Sequence, residues 1–217
     1  MEPITFQVEG MAAAPQGSKV HVGKGVMIES CKTVKPWRLL VARTAIVHCQ
    51  PACSIWTDWQ WAAWSALHHA PGLTAAELLK QVGPRRHHVT LADIARFLPV
   101  LRGCMARQED YVLRGPVRMS AVFQFQRPAN HYRRDGTLKP LNDALSSATG
   151  QDAPLYHCVQ PDWSKLQRST EDALTKVLYE DDARIVGSSG DKRWCVGDER
   201  PGALITLIPL SRQQQSP

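Results

Sequence analysis

The sequence predicts an α+β fold, because strand patterns near both ends and in the middle of the chain are separated by helical stretches. Apolar and polar residues alternate over residues 4–8 and over Val117–Phe125, as in strands that bury one face. A nearly continuous apolar run at residues 203–209 predicts a third strand. From Leu166 to Leu178, apolar residues recur at helical spacing.

The first half of the chain contains a basic loop followed by a helix. Residues 12–25 are rich in small residues, glycine and lysine, which is typical of a flexible loop. We predict a helix from Pro36 to about Val47, because proline suits the first helical turn and the apolar residues that follow form one face.

Three further helical signals follow between residues 49 and 113. Residues 56–69 contain four of the seven tryptophans, which we interpret as core rather than as base-stacking residues. Capping-box patterns at residues 74–77 and 90–93 open the other two helices. Residues 111–113 are predicted to return as a short strand.

The second half begins with a polar loop at residues 129–160, whose candidates for substrate contact are His131, Tyr132, Arg133 and Arg134. An ordinary solvated loop is an equally good interpretation. Near the end of the chain, we predict a strand at 183–186, a turn at 188–191, a returning strand at 192–196 and the last strand.

The helix within residues 161–186 carries a polar face. Ser164 is predicted as its N-cap. Ser164, Arg168 and Asp172 follow at steps of four, so their side chains share one side of the helix.

Carboxylates flank this helix on both sides, with Asp162 before it and the Asp181–Asp182 pair after it. A hairpin of helix and strand is expected to bring them to one place. Clustered carboxylates repel one another unless a cation intervenes, and Mg²⁺ is the natural cation for such oxygen ligands. The alternative is an amphipathic helix with a solvated acidic end.

The order of residues in this region resembles a known motif, D-x-D-N-x-x-K at a helix start, then D-A-L, then D-D before a strand. The matching residues are Asp162-Trp-Ser164-Lys165-Leu-Gln-Arg168, Asp172-Ala-Leu and Asp181-Asp182-Ala-Arg-Ile-Val. The motif is that of the RusA family of Holliday-junction endonucleases, among which phage members look closest. Upstream, residues 4–10, 14–19 and 30–37 look like the family's N-terminal strand and basic loop, and residues 115–128 like its central strand.

The resemblance implies a mixed sheet with packed helices, formed by a discontinuous nuclease domain of residues 1–48 and 114–210. The family has only a short connection where this chain has residues 49–113, so these are interpreted as an inserted helical module. A winged-helix module that contacts DNA and a small helical bundle that extends a dimer or packs on the core remain alternatives. Residues 211–217 are predicted to be a disordered tail.

The resemblance also implies a homodimeric, Mg²⁺-dependent enzyme that resolves four-way DNA junctions by paired symmetric nicks, with Mn²⁺ as a possible substitute. Asp162, Asp181 and Asp182 are the implied metal ligands, and the implied catalytic residues are Asp162, Asp182, Arg168 and Asp172. The implied contacts to the DNA backbone are Lys19, Lys32, Lys35, Arg133, Arg134 and Lys165.

The sequence departs from the motif at two positions. Ser164 replaces its second aspartate and Arg168 replaces its lysine. A hydroxyl supplies no charge to a metal, and a guanidinium clamps a phosphate but does not donate a proton. Two alternatives therefore stay open, a non-catalytic DNA-binding protein that uses the helical module and a nuclease for other branched DNA.

The resemblance also implies a DNA-binding protein in the cytoplasm of a bacterium or of a phage-infected host, and the composition is consistent with it. The formal net charge is +6, although residues 158–217 carry eight basic and nine acidic residues, so the acidic cluster is flanked by basic regions. No run of 18 apolar residues occurs, and the N-terminus lacks a signal-peptide pattern. The six cysteines are therefore predicted to be reduced thiols.

Overall fold

The computed structural model describes residues 2–16, 19–21, 27–29, 31–83, 87–142 and 152–210. Of residues 19–21, 27–29 and 142 it describes the backbone alone. The predicted tail at 211–217 and residues 84–86 lie outside this description.

Strands supply the central layer of the fold. In chain order they are β1 (Ile4–Glu9), β2 (Lys19–His21), β3 (Met27–Glu29), β4 (Val117–Phe125), β5 (Leu141–Asn142), β6 (Ala153–Pro154), β7 (Ile185–Trp194) and β8 (Gly202–Pro209). The main sheet has the order β1-β8-β4-β7, with β4 and β7 parallel and the other neighbours antiparallel. The remaining strands form two small two-stranded sheets, β2 with β3 and β5 with β6.

Five described helices accompany these strands. They are α1 (Val34–Cys49), α2 (Asp58–His69), α3 (Ala75–Val82), α4 (Leu91–Gln108) and α5 (Trp163–Leu174). The mixed sheet and the helices confirm the predicted α+β class. The capping boxes predicted at the starts of α3 and α4 are also confirmed, with Thr74 and Thr90 as the N-caps.

One face of the sheet forms the core against the helices. Alternate residues of β4 from Val117 to Phe123 are buried, as are alternate residues of β8 from Ala203 to Leu207, because side chains in a strand alternate between faces. Helix α1 packs beside α5, where the fully buried Trp37 donates its indole N–H to Thr170 at 3.3 Å. This contact holds α5 against α1.

Two strand predictions are wrong. The turn expected at residues 188–191 is absent, and β7 runs without interruption from Ile185 to Trp194. Parallel pairing with β4 along this stretch supplies tertiary hydrogen bonds that outweigh the turn preference of serine and glycine. Residues 111–113 do not form a strand either, since Leu113 makes a single bridge to Tyr179.

The ends of α5 also differ from the prediction. Asp162, not Ser164, occupies the N-cap position, so Ser164 lies within the first turn. The helix ends at Leu174 rather than continuing to Leu178, because Thr175 leaves the helical conformation and Lys176 adopts a positive φ of 63°.

Helices α2, α3 and α4 pack on one another and share one hydrophobic core with the sheet. At the end of α4, the buried Gln108 donates its side-chain amide to the backbone carbonyls of Lys176 and Val177, the latter at 2.8 Å. Gln108 therefore connects α4 to the segment that follows α5. No helix among the described residues has both the length and the apolar character needed to cross a membrane.

Replacing Gln108 should lower the stability of this connection. We expect Gln108→Ala to reduce the free energy of unfolding by about 1–3 kcal/mol, because two buried carbonyls lose their donor. Urea denaturation measures the change. The matched variant is Gln167→Ala, which removes only a contact with Glu171 on the surface of α5 and should cost less than about 0.5 kcal/mol. Equal losses in the two variants would contradict the assignment.

Candidate active site

Asp162 marks the beginning of the candidate site. Its carboxylate is 57% exposed and forms an ion pair with Lys165, one turn further along α5, at 3.1 Å. The side-chain ammonium of Lys192 donates to the backbone carbonyls of Val159 at 2.8 Å and Pro161 at 2.7 Å. The end of β7 thereby holds the loop that presents Asp162.

A cavity of about 570 Å³ lies beside Asp162. Its walls come from the segment that follows β1, from Thr33 before α1, from Phe125 at the end of β4 and from the start of α5. Gln16 joins two of these walls, since its backbone N–H donates to the carbonyl of Lys165 at 3.0 Å. The cavity is open to solvent at an exposed carboxylate and a lysine, which suits a polar, charged ligand.

The polar face of α5 continues from this cavity. Ser164 and Arg168 are exposed, and Arg168 makes no ion pair with any residue in the described ranges. Asp172 is engaged, because it forms an ion pair with Arg38 of α1 and accepts a hydrogen bond from Gln16 at 3.2 Å. Asp172 thus connects α1 to α5.

Asp181 and Asp182 lie beyond the other end of α5. Asp181 accepts a hydrogen bond from the backbone N–H of Ala183 at 2.9 Å and caps the short 3-10 helix Asp182–Arg184. Both aspartates are exposed. Burial raises the pKa of the neighbouring Tyr179, and the charges of Glu171 and Asp182 raise it further.

The expectation that the hairpin brings Asp162 to the aspartate pair is wrong within one chain. Asp162 lies near Lys192, at the end of β7. Asp182 lies just before Ile185, which begins β7 seven residues before Lys192. At about 3.3 Å per strand residue and about 1.5 Å per helical residue, the two carboxylates are roughly 20 Å apart. In a helix–strand hairpin, the start of the helix lies near the end of the strand. Asp162 is at that open end, whereas Asp181 and Asp182 lie in the connection at the closed end.

The described residues of one chain therefore do not complete a metal centre. Across the described residues, no group of three or more histidine, cysteine, aspartate or glutamate side chains is close enough to hold a metal ion. Asp162 and Asp172 are about 15 Å apart along α5, so they do not share an ion either. The oxygen donors are of the type that Mg²⁺ prefers, but the described residues of one chain do not gather them.

The basic residues predicted from the sequence lie on several elements. Lys32 and Lys35 are exposed near the start of α1, and Lys165 is exposed on the neighbouring α5. Arg133 and Arg134 are exposed on the turn after residues 129–131. The side chain of Lys19 lies outside the description.

His131 does not suit the substrate contact proposed for it, because it is buried. Its ring packs edge-on against Trp194 at 5.1 Å and lies 3.2 Å from the buried Arg127. Arg127 donates to the carbonyl of Cys195 at 2.6 Å, and His157 stacks on Phe125 at 4.0 Å. This packing supports the Phe125 wall of the Asp162 cavity.

Sequence reasoning missed Lys192, Arg38 and Gln16, which position the site through long-range contacts. A capping box at Thr57 and Gln60, at the start of α2, was also overlooked. That pattern was visible in the sequence, whereas the contacts of the other three depend on strand pairing and helix packing.

Comparison with known families decides the class of the protein. The family model described as endodeoxyribonuclease RusA matches residues 80–208, more than half of the chain. The chain belongs to the RusA family. It is therefore a structure-specific endodeoxyribonuclease of the Holliday-junction resolvase type, and resolvases of this family generally depend on a divalent metal. No curated protein matches the chain.

The RusA match covers some regions that the motif resemblance predicted and omits others. It includes β4, α5, β7 and β8, and with them both carboxylate sites. It does not reach β1, α1 or α2. It does include residues 80–113, which the sequence analysis assigned to the inserted module.

Proposed function

We propose that this RusA protein is a Mg²⁺-dependent resolvase that cuts four-way junctions by paired symmetric nicks, in DNA recombination, repair or phage DNA processing. Mn²⁺ is the expected substitute for Mg²⁺. The observation that carries the proposal is the family match over both carboxylate sites, which are exposed and accompanied by basic residues. A nuclease of this kind acts on DNA in the cytoplasm of a bacterium or an infected host.

The separation of the carboxylates supports a homodimer. If α5 of one protomer lies against the partner, Asp162 of one chain and Asp181 and Asp182 of the partner subunit can share one site. A two-fold axis then produces two identical sites. Two sites related in this way suit a substrate that must be nicked on two symmetric strands.

Asp162 of one chain with Asp181 and Asp182 of the partner subunit would hold the divalent metal, which would supply a Lewis acid to the scissile phosphate. We propose that Arg168, which makes no ion pair with the described residues, clamps a phosphate oxygen. Ser164 adds a neutral hydroxyl beside it. Asp172 assists by holding α1 to α5 through Arg38 and Gln16.

The exposed basic residues supply binding to the DNA backbone. We propose that phosphates are contacted by Lys19, Lys32, Lys35, Arg133, Arg134 and Lys165. Affinity should then fall steeply with salt, with a slope of about −0.9 in log K against log salt for each phosphate contact.

Residues 49–113 are proposed as a helical module inserted into a nuclease domain of residues 1–48 and 114–210. The packing of α2, α3 and α4 on one another supports a bundle, and the contacts of Gln108 support its docking on the nuclease core.

The test is incubation of the full chain with a labelled synthetic four-way junction in Mg²⁺, in Mn²⁺ and in EDTA. We expect paired symmetric nicks with either metal and none in EDTA. Three-way and flap substrates in parallel reveal a nuclease for other branched DNA. Junction binding without nicks in any metal would contradict the proposal and identify Ser164 as the mark of a lost active site.

A further inference from the structure

A second cavity, of about 810 Å³, lies between α1, α2 and the end of α5. We call it the α2 cleft. Its walls come from three segments, and the lining residues are Trp64, Ser65, His68 and His69 of α2, Lys35, Pro36, Arg38, Leu39 and Ala42 of α1, and Asp172, Ala173, Thr175, Lys176 and Val177 at and just beyond the end of α5. The volume lies in the range of about 300–1,000 Å³ that is usual for sites that bind small molecules.

One wall of the α2 cleft is aromatic and apolar. The ring of His68 stacks on the buried Trp64, with centroids 4.7 Å apart and planes 22° apart. Burial, together with the smaller effects of the charges of His69 and Lys176, lowers the pKa of His68 to about 4, so the ring is neutral at pH 7. A flat neutral ring in a cleft with Leu39 and Val177 suits stacking by a second aromatic ring.

The cleft carries a net positive charge, because its one carboxylate, Asp172, is paired with Arg38 and two lysines remain. Lys35 and Lys176 are exposed, and neither forms an ion pair within the described part of the chain. Lys176 occupies the first position after the cap of α5, where glycine is usual, with φ 63°. The side-chain amide of Gln108 donates to the backbone carbonyl of Lys176 and so stabilises the positive φ of this residue. The lysine thereby stays beside the cleft at a position that usually favours glycine.

Two buried donors belong to residues that line the cleft. The indole N–H of Trp64 and the Nε–H of Arg38 have no acceptor among the described residues. Buried donors are rarely left without a partner.

We propose that the α2 cleft binds a nucleoside monophosphate unit, with the base stacked against His68 and the phosphate at Lys35 and Lys176. The source we favour is an unpaired nucleotide of the DNA substrate, because Lys35 also belongs to the proposed DNA-binding surface. The proposal rests on the proposed function for this choice of source. Helices α1 and α2 precede the residues matched to the RusA model, so the cleft adds a contact outside the matched region.

The experiment uses the full chain with a 5′-phosphorylated single-stranded DNA 12-mer that contains one 5-iododeoxyuridine. Ultraviolet cross-linking and peptide mapping should place the base on residues 58–69 of α2. Lys176→Gly, which relieves the positive φ and removes the charge, should weaken binding of the 12-mer about fivefold and reduce its salt slope by about 0.7. Leu39→Glu, which puts a negative charge into the cleft, should weaken it at least as much.

The control is Lys80→Ala, which removes an exposed lysine of α3 that does not line the cleft and should leave binding unchanged. Cross-links confined to other peptides, or equal binding by all variants, would overturn the proposal. Binding of free dTMP is measured with the same variants. If Lys176→Gly weakens the binding of dTMP but not that of the 12-mer, the ligand of the cleft is a free nucleotide rather than a nucleotide of the DNA substrate. If the wild-type protein cross-links at α2 but does not nick junctions, only the proposed function is contradicted. If it nicks junctions without cross-linking at α2, only this inference is contradicted.

Discussion

Asp162→Asn and Asp182→Asn should each reduce junction cleavage about a thousandfold, since losing a metal ligand removes roughly 4 kcal/mol of transition-state stabilisation. Junction binding should persist in both variants, because phosphate contacts by lysine and arginine supply most of the affinity. Cleavage is measured with the labelled four-way junction under single-turnover conditions, and binding by gel shift in EDTA.

Mixing the two inactive variants should restore cleavage. In a dimer of one Asp162→Asn chain and one Asp182→Asn chain, one composite site retains both aspartates and the other loses both. Co-expression with two different tags and purification through both tags yields this heterodimer. In an unsorted equal mixture, half the dimers are mixed and half of their sites are intact, so about a quarter of the wild-type sites should return.

The heterodimer has a decisive alternative outcome. If Asp162 and Asp182 acted within one chain, neither site of the heterodimer would be intact and no cleavage would return. Asp198→Asn removes an exposed carboxylate in the β7–β8 connection and serves as the matched control, with wild-type cleavage expected. Full activity of Asp182→Asn alone would remove that residue from the metal site.

Gly190→Ala should lower the free energy of unfolding by at least about 3 kcal/mol, from overpacking and from a backbone conformation that disfavours a side chain. A Cβ at Gly190 would lie 1.8 Å from the carbonyl oxygen of Ala121 in β4, and the residue has a φ of 144°. The parallel β4–β7 pairing must then open. Thermal and urea denaturation measure the loss, with the melting temperature expected to fall by at least about 6 °C.

Gly187→Ala tests whether this effect is local. Gly187 lies three residues earlier in β7, and a Cβ there would meet only the flexible side chain of Arg118 at 3.8 Å. We expect a change of less than about 1 kcal/mol. If both variants unfold at the wild-type temperature, β7 does not pair with β4 as described.

Much of the fold could be predicted from local patterns. Alternation over Val117–Phe125 identified β4, and the capping boxes at Thr74 and Thr90 identified the starts of α3 and α4. These signals are local, because side-chain periodicity and cap hydrogen bonds involve residues within a few positions of one another. The turn predicted within β7 failed for the opposite reason, since its hydrogen-bond partners lie in β4.

The candidate site divides in the same way. The sequence by itself determined the residue types, namely the three aspartates flanking a helix, the departures at Ser164 and Arg168, and the family. Only the tertiary structure decided where these groups lie. Helix α5 spans about 18 Å and packs on α1, and β7 returns beside β4, so the two carboxylate sites lie at opposite ends of the hairpin. Spacing along a sequence specifies which residues share a helix face, whereas the distance between the ends of a rigid helix follows from its length and packing.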